Sequence, residues 1–173
     1  KETSSAKDTS KETGKEESSK TGKSDVKVDS GVSYNGSYYS VKGKYGEVMI
    51  ANKHYPLAPD FNPGEDPEAV SALHELIAAM QAEGYPISDQ YSGFRSYDTQ
   101  VALYQNYVNQ DGQEAADRYY ARPGYSEHQT GLTFDLIDTS GNLVTDPVTS
   151  KWLLKNAAKY GFVVRYQEGK EKV

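Results

Sequence analysis

Ser126-Glu127-His128-Gln129-Thr130-Gly131-Leu132-Thr133-Phe134-Asp135-Leu136-Ile137-Asp138 is the most informative stretch of this 173-residue chain. Its second part alternates. Leu132, Phe134 and Leu136 face one side, and Thr133, Asp135 and Ile137 the other, which predicts a half-buried strand over 131–138. A histidine sits just ahead of it in a glycine-containing loop. Asp135 lies among strong strand formers, where a carboxylate is expensive to bury without a partner. A divalent cation is one such partner, since zinc takes imidazole nitrogen and carboxylate oxygen readily. A hydrogen-bonded structural His–Asp pair is the other. Two ligands fall short of the three that a catalytic zinc site takes from its protein.

The elements around this stretch are well punctuated. Asp66-Pro67-Glu68 opens a helix, with Val70, Leu73, Leu76, Ile77 and Met80 as its buried stripe and Gly84 and Pro86 as its end. Residues 87–91 read as a strand, and Ser92-Gly93 as the turn out of it. A second helix is predicted over 96–108 and a third over 113–121. Asp146-Pro147 repeats the capping signal and starts a helix carrying Trp152, Leu153 and Ala157, with Gly161 at its end. Residues 162–166 read as a final strand. On the N-terminal side, residues 31–55 are rich in Tyr and Gly, with a short strand at 48–50. The elements mix without a regular βαβ rhythm, which predicts an α+β fold with an antiparallel sheet.

Composition divides the chain. Residues 1–30 hold 7 Lys, 7 acidic residues and 11 Ser or Thr, and their only apolar side chains are Ala6, Val26 and Val28. Such a segment cannot bury enough apolar surface to offset chain entropy and is expected to be a disordered tether. Its charges cancel, so the net charge of -6 rests on residues 31–173, with 12 basic and 18 acidic side chains. That acidic balance argues against nucleic acid as a partner. No apolar run reaches the roughly 18 residues of a membrane span. Residues 1–30 lack the apolar core of a signal peptide. With no cysteine, any metal site must use His, Asp and Glu.

Three sets of residues carry a resemblance. The Ser-x-His-x-x-Gly-x-x-x-Asp spacing of Ser126, His128, Gly131 and Asp135 resembles the motif of the VanY-type D-alanyl-D-alanine carboxypeptidases. Ser92-Gly93-Phe94-Arg95-Ser96 followed by Gln100 is similar to that family's Arg/Gln segment. Asn52-Lys53, Leu57 and Phe61-Asn62-Pro63 are similar to its entry segment. The likeness covers about residues 48–166 and is strongest to the LD-carboxypeptidases within the family.

The resemblance implies a Hedgehog/DD-peptidase-like fold, α+β with a small antiparallel sheet and flanking helices, in agreement with the elements above. It implies Zn2+ as cofactor, with His128 and Asp135 as ligands. Arg95 would stabilise the oxyanion or hold substrate, and Gln100, Ser126 and Tyr125 would bind the end of a peptidoglycan stem peptide. The implied reaction removes the terminal D-alanine from stem tetrapeptides. Cleavage of pentapeptide D-Ala–D-Ala ends, or non-catalytic binding of peptidoglycan, are the alternatives. The family takes its third ligand and general base from a C-terminal Glu-x-x-His-type motif. No such motif follows Gly161, and His128 is the last histidine. The zinc peptidase domain, 31–173, is therefore expected to be incomplete, with that Glu and His beyond Val173. His54 and His74 read as packing or surface residues, and Glu127 as a solvated acid. The implied setting is the outer face of a bacterial membrane or the cell wall. A lipid anchor upstream of Lys1 and a monomeric state complete the expectations.

Overall fold

Glycine turns and two Asp-Pro caps divide the chain into two small antiparallel sheets and four helices, in a computed structural model that describes residues 31–165. The tether expected over 1–30 and the residues after Arg165 lie outside the described residues. The first sheet is a meander of β1 (Val32–Tyr34), β2 (Tyr39–Gly43) and β3 (Gly46–Ile50). Asn35 turns β1 into β2 by accepting the Ser37 and Tyr38 N–H groups at 2.9 and 3.0 Å. Lys44-Tyr45 joins β2 to β3 between the paired Gly43 and Gly46. Buried Tyr39 packs on Tyr34 and Tyr55, with ring centroids 4.5 and 5.2 Å apart. The segment after this sheet is tied down at Leu57, whose N–H donates to the Gly124 carbonyl at 2.7 Å.

Helix α1 (Pro67–Ala82) begins as the sequence predicts, with the Asp66 carboxylate accepting the Ala69 N–H at 2.8 Å. Leu73, Leu76, Ile77 and Met80 are all buried on one face. They form the core with Ile87 of β4 (Ile87–Ser92) and Trp152 of α4 (Pro147–Asn156). The Trp152 indole N–H donates to Glu83 at 2.7 Å, which pins α4 to the end of α1. Asp146 caps α4 through the Thr149 N–H at 2.8 Å, and that bond holds its carboxyl below the usual range. Helices α2 (Tyr97–Asp111) and α3 (Gln113–Tyr119) pack on one another. β4 pairs antiparallel with β5 (Asp135–Asp138), with Tyr91 opposite Leu136 and Ser92 opposite Asp135. This second sheet carries the site. The mixed α+β architecture with small antiparallel sheets is the one expected from sequence.

Two expected strands are shorter or missing. The strand predicted over 131–138 starts only at Asp135. Gly131 is left-handed (φ +74°), and the Leu132 N–H turns back to the Thr130 hydroxyl at 3.1 Å, so 131–134 has no ladder partner. Phe134 and Leu136 still reach the core, whereas Leu132 is half exposed. Residues 162–165 form no strand. The Phe162 N–H closes the turn after α4 on the Ala157 carbonyl at 3.1 Å, and its ring stands edge-on to Phe134 at 6.1 Å. Its apolar side chain is partly buried by this ring packing.

Candidate metal centre

Two chain reversals bring the candidate residues together. The first follows β4, where Gly93, Phe94 and Arg95 lead into α2. Ser96 caps that helix by accepting the Thr99 N–H at 3.1 Å. The second is a 3-10 turn at Glu127–Thr130, ended by left-handed Gly131. The reversals clasp each other at His128. Its ring Nδ1 lies 2.8 Å from the Gly93 carbonyl oxygen, and its own carbonyl accepts the Arg95 N–H at 3.2 Å. The other ring nitrogen, Nε2, faces Asp135 Oδ2 at 3.0 Å. The His128 side chain is 13% exposed and that of Asp135 is 41% exposed, so the pair opens to solvent on the carboxylate side.

The hydrogen bonding decides what this pair suits. A carbonyl oxygen only accepts, so Nδ1 carries the proton. Nε2 then presents a lone pair to a carboxylate unless a second proton or a cation lies between them. A nitrogen and an oxygen converging on one point, with the imidazole oriented by a backbone carbonyl, is the usual arrangement of metal-bound histidine. The donor set therefore fits zinc. Among the described residues, no group of three His, Asp or Glu side chains capable of holding a metal ion occurs. His54 and His74 are exposed, and His74 meets the edge of the Tyr91 ring at 6.2 Å.

The predicted substrate residues lie on or next to the two reversals and in α2, and differ in burial. Arg95 is half-buried, and its Nη1 donates to Gln100 Oε1 at 3.0 Å. Gln100 is buried at 2% exposure, and its Nε2 donates to the Ala121 carbonyl at 2.7 Å. Both polar atoms of Gln100 are thus committed within the protein, on a side chain that props Arg95. Past Ala121, Arg122 holds Asp117 through two bonds of 2.8 and 2.6 Å, and Tyr104 donates to the same carboxylate at 2.6 Å. Arg122 and Tyr104 together hold the Asp117 carboxyl well below the usual range. Ser126 is buried and Tyr125 half-buried, immediately before the 3-10 turn.

Other structural ties were not apparent from sequence. Glu127, expected to be solvated, accepts the Arg165 Nε–H at 2.8 Å. Gln129 is fully buried, and its Nε2 donates to the Ala58 and Phe61 carbonyls at 3.0 and 2.9 Å. One amide group thus anchors the entry loop under the His128 turn. Gln129→Leu keeps the volume, strands the Phe61 carbonyl and leaves the Ala58 carbonyl only the Phe61 N–H, so it is expected to cost about 1–2 kcal/mol. Urea denaturation checks this as a lower midpoint with an unchanged slope.

Known proteins match this chain over the same region. The family model for VanY, D-alanyl-D-alanine carboxypeptidase, matches residues 64–173. The putative carboxypeptidase YodJ of Bacillus subtilis is 32% identical over 150 residues, covering 73% of this chain and 55% of YodJ. The chain spans about half the length of the curated relatives it matches. The crystal structure of an L,D-carboxypeptidase DacB from Streptococcus pneumoniae superposes with a TM-score of 0.78 at 66% identity, covering 81% of this chain and 76% of that one. A vancomycin-resistance D,D-pentapeptidase VanY in complex with Zn(II) superposes with a TM-score of 0.56 at 27% identity, covering 70% and 77%.

Proposed function

The chain belongs to the VanY family of D-alanyl-D-alanine carboxypeptidases, and on that premise we propose that it is the core of a zinc-dependent LD-carboxypeptidase. Its substrate is the peptidoglycan stem tetrapeptide, and its products are D-alanine and the tripeptide. The observation that carries the reading is the approach of His128 Nε2 and Asp135 Oδ2 to 3.0 Å, on a turn whose His128 carbonyl accepts the Arg95 backbone N–H. The higher identity to the DacB LD-carboxypeptidase, 66% against 27% for the VanY pentapeptidase, favours the L-to-D bond.

His128 and Asp135 would hold the zinc. When bound, zinc supplies a Lewis acid for the scissile carbonyl and acidifies a bound water. The third ligand and the glutamate base are proposed to come from the family's Glu-x-x-His motif, beyond Val173. Gly93 fixes the ring of His128, so its Nε2 is already aimed. Arg95 offers a guanidinium of five N–H donors, of which Gln100 takes one. The rest would neutralise charge as it develops on the substrate oxygen or carboxylate. Gln100 would serve the substrate through Arg95, and Ser126 and Tyr125 would flank the terminal D-alanine. The enzyme would work at the cell wall, anchored by lipid ahead of Lys1 and as a monomer. Among the described residues, no helix is long and apolar enough to cross a membrane.

Incubating the full-length protein with stem tetrapeptide and pentapeptide tests the specificity. D-alanine and tripeptide from the tetrapeptide, with the pentapeptide intact, is the expected result. The reverse pattern overturns the LD assignment in favour of a DD-carboxypeptidase, and peptide binding without release identifies a non-catalytic module. Arg95→Ala is expected to lower kcat about 100-fold. An unchanged kcat removes Arg95 from the mechanism.

A further inference from the structure

We propose that Glu65 is a positioning residue for His128, acting through Gly93: its carboxylate packs against Gly93 and holds that residue's carbonyl on the imidazole. The inference rests on the reading of His128 as a zinc ligand. Glu65 lies in neither of the motifs that carry the resemblance at the site, and it is not one of the metal-ligating candidates.

Two contacts place it. A Cβ built on Gly93 would run into the Glu65 carboxylate, so this side chain occupies the space beside the Gly93 backbone. The Tyr91 hydroxyl donates to the other carboxylate oxygen at 3.0 Å. Burial pushes the Tyr91 phenol above its ordinary value and the Glu65 carboxylate adds to the effect, so Tyr91 keeps its proton and remains a donor. Tyr91 is itself fixed, edge-on to Phe134 at 5.6 Å and opposite Leu136 in the strand pair. Glu65 is thus held from behind by a rigid strand residue and pressed against the residue that presents its carbonyl to His128 Nδ1 at 2.8 Å.

The backbone around Glu65 grips the other reversal. The Asp66 N–H donates to the Gly131 carbonyl at 3.1 Å, and a Cβ on Gly131 would run into the Gly64 carbonyl. Residues 64–66 are therefore wedged between the end of β4 and the end of the His128 turn. Partners of metal-bound histidines orient the ring and raise its basicity, and losing one typically weakens metal binding by about 10–100-fold. Glu65 acts one contact further out, so the lower end of that range is expected.

The test uses the full-length protein and Zn2+ itself, with affinity read by competition against a chromophoric chelator. Glu65→Ala is expected to bind Zn2+ about tenfold more weakly, and its Co2+ form to show shifted visible absorption bands. Its kcat should fall while KM holds. Glu65→Gln fills the same space and still accepts from Tyr91, so it should restore both affinity and spectrum. Tyr91→Phe, which removes one hydroxyl and keeps the ring packing, covers the case in which Glu65→Ala does not fold. It is expected to weaken Zn2+ severalfold. Wild-type affinity and an unshifted Co2+ spectrum in Glu65→Ala, or in Tyr91→Phe should the alanine variant not fold, overturn the proposal and leave the zinc reading intact. Absence of Zn2+ binding by the wild type overturns both.

Discussion

Replacing His128 by alanine is expected to abolish zinc binding at this site while leaving the fold in place. Nε2 of this residue is one of two donors that the described structure brings to the same point, 3.0 Å from Asp135. Among the described residues no other histidine stands in for it, since His54 and His74 are exposed and outside the site. Removing a direct ligand should weaken Zn2+ by more than the roughly 10–100-fold seen for outer partners. Carboxypeptidase turnover should fall at least about a thousandfold, or ~4 kcal/mol of transition-state stabilisation. The cost to folding is smaller. Losing the ring removes its hydrogen bond to Gly93, worth about 1 kcal/mol, and its contact with the part-exposed Asp135, while the core of Leu73, Ile77, Met80 and Trp152 is untouched. Calorimetric metal titration with a thermal melt on the same sample separates the two effects. Retained zinc affinity would remove His128 from the site.

Gly131→Ala is expected to damage the fold as much as His128→Ala damages the chemistry. Gly131 is left-handed (φ +74°), which costs an ordinary residue about 1–2 kcal/mol. A methyl group there would also run into the Gly64 carbonyl, which is backbone and has little room to yield. Moving it would stretch the Asp66 N–H bond to Gly131 and disturb the cap of α1. Together these should cost about 3 kcal/mol or more, near a 10 °C fall in Tm at this size. Gly141→Ala is the matched control. It shares the left-handed backbone (φ +85°) but faces open space, so only the conformational cost of about 1–2 kcal/mol remains. Equal melting temperatures for the two variants would mean that the wedge at 64–66 carries no load.

What could be read from the sequence depended on how local its cause was. Asp66-Pro67 and Asp146-Pro147 announce their helices because a cap is built from neighbours, and both carboxylates cap as expected. The stripe of α1 is equally direct. Of the meander over 31–50 only β3 was anticipated, by the short strand at 48–50; the turn of β1 into β2 rests on backbone N–H groups bonded to Asn35, which no apolar pattern reports. Leu132, Phe134 and Leu136 alternate as a strand would, yet the ladder waits for Asp135, because pairing is decided by β4 and by left-handed Gly131. At the site, the spacing of Ser126, His128 and Asp135 stood out in the chain. The Gly93 carbonyl on Nδ1, the Gln129 amide on Ala58 and Phe61, and Glu65 against Gly93 did not. Each joins segments 28 to 71 residues apart or acts through backbone atoms, which no residue type reports.

The most direct test of a zinc carboxypeptidase built on His128 and Asp135 is D-alanine release from stem tetrapeptide by the full-length protein, before and after metal removal. The expected result is release that stops on treatment with chelator and returns with stoichiometric Zn2+, in the wild type and not in His128→Ala. Release that survives complete metal removal would contradict it.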